Sequence, residues 1–364
     1  MVEKLTRRKE WRDGKSDKFV PLESLDLNKI KTVDDMVRAM SKTAFAARSL
    51  GEAADVLEKM VRDEDCFVVL TLSGAMTVAK MGLVVCDMID RGMVHAVVST
   101  GALMAHGFIE STGMTHFKYE MGQMNDRELY LKGYDRVYDT LELEKNLDDA
   151  ETIIMKLLDK WDRKEPLCSW KFNRLLGEYL MSTKGRGVLK SALQNGVPVF
   201  VPAFTDSEFG LDVGMYNIKQ RMKKKSEITF NPLYDLDKLR EIIGSQKKVG
   251  IFTIGGGVPR NWAQQIGPYM DIIENKLGKN AGGGFVRYHY GVRICPEPVH
   301  WGGLSGCTYS EGVAWGKFVP KEEGGMWAEV LEDATVAWPL IVKAVMERLE
   351  KTPPLQKNIV KPKM

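Results

Sequence analysis

Apolar positions along this chain alternate between two spacings. From Thr32 to Val61 they recur at helical intervals, at Met36, Met40, Phe45, Val56, Leu57 and Met60, and Thr32 with Asp35 makes a capping signal. The spacing then collapses into a continuous run, Cys66-Phe67-Val68-Val69-Leu70-Thr71-Leu72, which stops at Ser73-Gly74. A strand covered on both faces has this pattern, because neither side meets water. A helical stretch from Met76 to Arg91 leads to a second run, Ala96-Val97-Val98, ending at Ser99-Thr100-Gly101.

The alternation continues to the end. Helices are predicted over Asp148 to Trp161, Trp170 to Met181 and Val188 to Gln194, the last feeding a strand from Val197 to Val201. A helix from Leu236 to Ile243 feeds the strand Val249 to Ile254, which ends at Gly255-Gly256-Gly257. Another from Asn261 to Leu277 precedes an aromatic strand, Phe285 to Tyr290. The last elements are a strand near Trp327 to Leu331 and a helix from Thr335 to Leu349. Strands alternating with helices predict an α/β fold, a parallel sheet with helices on both faces. Ligands of such sheets bind beyond the carboxyl ends of the strands. Those ends carry Ser73, Thr100, Gly101, Asp206 and Gly255 to Gly257, which together outline one crevice of dinucleotide size.

Composition narrows the classes. Of 364 residues, 44% are hydrophobic and 28% charged, enough for a large core. A net charge of +3 does not argue for nucleic acid, and the basic runs Lys4 to Lys9 and Arg221 to Lys225 read as solvated segments. The five cysteines have no short paired spacing, which points away from disulfides and from a zinc site, so no metal is expected. No apolar stretch is long enough to span a membrane and the first residues lack a signal core, so a cytoplasmic protein is expected. The expected organisation is a charged flexible tail over 1–18, one catalytic domain over 19–352, and a flexible tail over 353–364.

Two segments carry candidate chemistry. The triple glycine lets backbone approach a ligand and presents amides to phosphate at a helix start, with Pro259 in the first turn. A G-x-G-x-x-G fingerprint is absent after the first strand, so taken alone this signal is weak. The stretch from Trp301 to Pro320 crowds glycines and aromatics around Lys317. A lysine flanked by Val313, Ala314, Trp315 and Phe318 can be desolvated, which frees its amine for attack on carbon. Glu311 would bind a cationic substrate, and Trp315 an alkylammonium by cation–π contact. Read locally, a snorkelling lysine beside a core tryptophan fits equally well.

The block Glu311-Gly312-Val313-Ala314-Trp315-Gly316-Lys317 resembles the Glu-Ala-Val-Ser-Trp-Gly-Lys block of deoxyhypusine synthases. Pro198 to Asp206 is similar to the family's P-V-F-x-P-A-x-T-D strand end, Ile254 to Val258 to its L-G-G-G-V turn, and Glu332-Asp333-Ala334 with Pro339-Leu340 to its closing segment. The resemblance runs from about Leu22 to Leu349. It implies a Rossmann-like sheet, a homotetramer with sites at dimer interfaces, and NAD held at Ser73, Thr100, Gly101, Asp206, Ser305, Asp333 and Ala334. It also implies Lys317 as the amine that captures an aminobutyl group from spermidine, with Trp315 and Glu311 lining the polyamine tunnel.

The departures concern the substrate. Asn261 stands where the family has a proton-transferring histidine, and an amide is no base at neutral pH. Leu304 replaces a carboxylate, and Thr100 to His106 lacks the family's glutamates. Glu208 and Asp212 remain candidates for ammonium binding, while Tyr288, His289, His300 and Tyr309 are candidates to enter the pocket; His95 reads as structural. Fewer carboxylates point to a small acceptor amine, putrescine or agmatine, slightly ahead of the lysine of the hypusine-bearing translation factor. A chain that keeps NAD without chemistry, or a simple oxidoreductase, are the other classes.

Overall fold

A computed structural model describes residues 11–122, 124–278 and 281–363; the basic run Lys4 to Lys9 and most of the predicted N-terminal tail lie outside the described residues. The first helical stretch is two helices, α1 (Val33–Ser41) and α2 (Phe45–Arg62). The break falls where Phe45 takes a positive φ of 58°. Thr32 and Asp35 form the reciprocal capping box at the start of α1.

The chain then runs β1 (Cys66–Leu72), α3 (Gly82–Asp90), β2 (Ala96–Ser99), α4 (Gly101–Ser111), β3 (Phe117–Lys118), α5 (Asp126–Leu131), β4 (Tyr134–Val137) and β5 (Thr140–Leu143). After α6 (Glu144–Asp159), α7 (Ser169–Leu180) and α8 (Val188–Asn195) come β6 (Val199–Phe200), α9 (Glu208–Met222), α10 (Leu233–Gly244) and β7 (Lys248–Ile254). The last part holds α11 (Gly257–Gln264), α12 (Ile266–Leu277), β8 (Tyr288–Ile294), α13 (Tyr309–Ala314), β9 (Met326–Val330) and α14 (Ala334–Lys351).

Six strands form one parallel sheet in the order β6-β2-β1-β7-β8-β9. The chain builds outward from β1 through β2 to β6, then returns to β7 and builds the other way. That reversal between β1 and β7 opens a crevice beyond Leu72 and Ile254, where ligands of open α/β sheets bind. Pleating divides β1 between two cores: Val68, Leu70 and Leu72 face one, Phe67 and Val69 the other. The α/β class and the two-faced burial are therefore as the hydrophobic pattern implies.

Differences have local causes. The predicted Met76–Arg91 helix begins only at Gly82, after turns that include Lys80 at a positive φ. The predicted 261–277 helix starts earlier, inside the glycine run, and is divided into α11 and α12 at Gln265. Helix α4 is buried almost all round, so it shows no polar stripe to betray it. The antiparallel sheet β3-β5-β4 is equally silent, because its strands are two to four residues long and partly exposed. The segment read as a flexible C-terminal tail is tied down: Asn358 donates to the Glu64 carbonyl (2.8 Å), Val360 pairs with Gln246, and Lys357 Nζ donates to the Asp63 carbonyl (2.7 Å). Among the described residues no helix is long and apolar enough to cross a membrane.

Candidate active site

Helix α13 delivers the lysine. Thr308 caps it by accepting from the Glu311 amide, and Gly316, at φ 68°, ends it. Only glycine enters that left-handed conformation at little cost. Gly316 N–H donates to the Val313 carbonyl and Lys317 N–H to the Gly312 carbonyl, each at 2.9 Å. Lys317 and Val319 then hydrogen-bond the backbone of Tyr288, the first residue of β8, so the lysine is anchored to the start of that strand.

The Lys317 side chain is half-buried in a cavity of about 260 Å³, lined with it by Arg260, Asn261, Leu304, Glu311 and Trp315. Its Nζ donates to Asn261 Oδ1 at 3.1 Å and stands 5.9 Å from the Trp315 ring. Burial, reinforced by the Arg260 guanidinium, holds its pKa below that of an ordinary lysine, against the pull of Cys307 and Glu311. Asn261 thus touches the amine from the histidine's place, as acceptor rather than base. Leu304 lies at the wall, 53% exposed, where a carboxylate was looked for.

Arg260 lines the cavity without having been a candidate from the sequence, as do Gln264, Gln265 and Thr308. It is buried, donates to the carbonyls of Leu304, Ser305 and Cys307, and lies over the Tyr309 ring at 5.3 Å. Arg293 donates to the Ser305 and Cys307 carbonyls too. The loop that forms the cavity wall is pinned by two guanidinium groups. The signal was present in the Pro259-Arg260-Asn261 departure, but nothing in the sequence says that Arg260 turns inward.

Other candidates fall elsewhere. Tyr288 is buried and its hydroxyl donates to the Ala263 carbonyl at 3.0 Å, so it packs under the site without facing the cavity. His289 is half-buried near Lys248 and Asp63, its pKa lowered by burial and by Lys248; it does not line the cavity. Tyr309 is fully buried against Phe318, and His300 packs edge-on to Trp301. His95 accepts the Val68 amide at Nδ1 and is pushed down to about 3 by burial, a neutral structural ring as expected. Glu208 and Asp212 lie on α9, outside the cavity wall. Burial, Glu151 and Glu208 push Asp212 up to about 7.

Part of the crevice set meets at the ends of β1, β2 and β7. Ser73 Oγ donates to the Ile254 carbonyl and accepts from Gly256 N–H, bridging the ends of β1 and β7. A Cβ on Gly256 would lie 2.4 Å from Ser305 Cα, and one on Gly255 2.0 Å from Ser73 Oγ, whereas Gly257 faces open space. Thr100 caps α4, and Gly101 abuts Ser207, beside Asp206. Asp333 caps α14 ahead of Ala334. Because Ser305 also lies under the Arg260-pinned loop, crevice and lysine cavity share a wall.

Comparison with known proteins agrees with this arrangement. The deoxyhypusine synthase family model matches residues 35–345. The "probable deoxyhypusine synthase 2" of Methanosarcina acetivorans is 33% identical over 325 residues, 88% of each chain. A "deoxyhypusine synthase-like protein" of Chlorobaculum parvum is 34% identical over 331 residues, again 88% of each. Among solved structures, an Entamoeba histolytica protein assigned to deoxyhypusine synthase superposes with a TM-score of 0.58 at 16% identity, over 94% of this chain and 100% of that one, a likeness of fold. With the family model spanning the sheet, the glycine turn and the lysine helix together, this chain belongs to the deoxyhypusine synthase family.

Proposed function

We propose that this chain is a cytoplasmic, NAD-dependent aminobutyl transferase whose Lys317 captures the aminobutyl group of spermidine and passes it to a small acceptor amine, putrescine or agmatine. The observation that carries the reading is the Lys317 amine itself: half-buried, held by a neutral amide, and depressed in pKa within a lined cavity. Family membership makes a transferase of it.

The crevice suits a dinucleotide. Glycine backbone at 255–257 has no room for side chains at two of its three positions, and α4 and α11 begin directly after the ends of β2 and β7, where helix N-termini favour an anion. Ser73, Thr100, Gly101, Asp206, Gly255, Gly256, Gly257, Ser305, Asp333 and Ala334 would hold NAD, which when bound would supply a hydride acceptor that is regenerated over the whole cycle. Lys317 Nζ would attack the imine carbon of the oxidised donor, the C–N bond to 1,3-diaminopropane would break, the acceptor amine would displace Lys317, and return of the same hydride to the resulting imine would complete the transfer. Trp315 holds the alkylammonium chain against its face, and Glu311 takes one ammonium.

The preference for a small acceptor rests on Leu304 and Asn261. Glu311 is the one carboxylate among the lining residues, set against the buried cation Arg260, which disfavours a tri-cation. Exposed Leu304 and Trp315 give the cavity an apolar rim, which supports completion of the site at an interface between copies, within the homotetramer proposed here. The second reading, modification of the lysine of the hypusine-bearing translation factor, is favoured by the names of the relatives. Incubation with NAD and spermidine, with or without putrescine, agmatine or the factor, followed by mass spectrometry, separates these readings. Borohydride should trap an aminobutyl adduct on Lys317; identical products from Lys317→Ala would sink the proposal, and transfer to the protein lysine alone would sink the small acceptor.

A further inference from the structure

A second cluster of chemistry-bearing side chains lies outside the lysine cavity. His106 is on the second turn of α4, His116 immediately precedes β3, and Glu142 is in β5. All three are buried, at 7%, 6% and 1% exposure, and one ligating atom from each lies within 4.8 Å of the others. We propose that His106 Nδ1, His116 Nε2 and Glu142 Oε2 form a zinc-binding site that clamps the three-stranded sheet onto the main domain.

The geometry of the cluster matches a cation site in several details. His116 Nε2 stands 2.6 Å from Glu142 Oε2, so the ring and the carboxylate already face each other in a buried pair. The other oxygen of Glu142 is occupied by the Leu143 amide (2.8 Å) and by Asn146 Nδ2 (2.7 Å), which fixes the carboxylate and turns Oε2 toward both rings. His106 Nδ1 stands 3.1 Å from that same Oε2. Its Nε2 faces Glu208 Oε1 at 3.9 Å, and Glu208 Oε2 is buried and unpartnered. A ligating imidazole characteristically offers its second N–H to a carboxylate, and Glu208 is placed to accept it.

Two imidazoles and one carboxylate are a recurrent zinc set with an open fourth position for water. Bonds of roughly 2.1 Å place ligand atoms about 3.4 Å apart in a tetrahedron, so binding would draw His116 Nε2 back from its 2.6 Å contact with Glu142. One group competes: Lys80 Nζ lies 2.9 Å from His116 Nδ1. When His116 binds through Nε2, Nδ1 carries the proton, and the ammonium passes to Glu110, already 3.3 Å away.

The test uses the full chain, stripped with a chelator and titrated with zinc chloride or cobalt chloride. Expected are one metal per chain by mass spectrometry of the elements, a tetrahedral cobalt spectrum without thiolate charge transfer, and a raised Tm. His116→Gln and His106→Asn should each weaken zinc by at least about 100-fold, Lys80→Met should tighten it, and Cys307→Ser should leave it unchanged. No stoichiometric metal on the unmodified protein, a thiolate band in its cobalt spectrum, or equal affinity in the histidine variants would overturn the site. If a variant fails to fold, the spectrum of the unmodified protein still decides.

Discussion

At the scale of single residues, the proposed reaction depends on how far the site lowers the proton affinity of Lys317. Burial disfavours its ammonium, so its pKa lies below 10.5, while the Glu311 carboxylate pulls it up. The attacking form is the deprotonated one, and transferase activity should therefore rise with pH through this depressed value. Glu311→Gln removes a charge that stabilises the ammonium, so the rising limb of the kcat profile should move to lower pH. Lys317→Ala should lose transfer by several orders of magnitude and abolish the borohydride adduct; unchanged kinetics would refute covalent capture. Leu304→Asp restores an anion at the cavity wall and should lower KM for spermidine by no more than about fivefold, because an exposed ion pair contributes at most about 1 kcal/mol. Steady-state kinetics with spermidine and putrescine check it. Lys317, Trp315, Glu311 and Asn261 were legible in the sequence because two contiguous blocks, around α13 and α11, carry them and resemble a family pattern. Arg260 was not, since its inward direction depends on carbonyls more than forty positions away in the chain.

At the scale of elements, the ends of β1 and β7 act as a unit. Ser73 and Gly256 are hydrogen-bonded across the switch point, and Ser305 closes from the cavity side. Gly256→Ala would drive its Cβ into Ser305 backbone, which cannot swing aside as a side-chain tip would. The expected cost is about 1–3 kcal/mol in urea unfolding, with NAD affinity falling in calorimetry. An unchanged affinity would remove this turn from the cofactor proposal. Strands β1 and β7 were readable as apolar runs because both their faces are covered. Helix α4 was not, for the same reason: burial on nearly every side leaves no period to detect.

At the scale of the whole molecule, the first and last helices are joined by a buried ion network. Arg348 Nε meets Asp34 Oδ1 at 2.6 Å, and its Nη1 meets Asp55 at 2.7 Å and Glu58 at 3.0 Å. Burial opposes ionisation of Asp34, but Arg348, Arg38 and Lys351 outweigh it and hold its pKa below 3.8. The stabilisation is thus complete above that value and is lost as pH falls through the folded pKa. Asp34→Asn should cost about 3 kcal/mol, at the low end for a broken buried pair because Asp55 and Glu58 still hold Arg348. Its stability should also change less than that of the parent between pH 3.8 and more acidic values; parallel curves would contradict the assignment.

The sequence by itself determined the alternation of strands and helices, the crevice-end residues and the lysine block, because these depend on burial period and on contiguous turns. The tertiary structure alone decided which candidates meet. It set Tyr288 and His289 apart from the cavity, brought Arg260 into it, and joined His106, His116 and Glu142 from a helix, a loop and a strand separated by up to 36 positions. Convergence of that kind follows from how packed elements are placed in space, and no local pattern of residues encodes it.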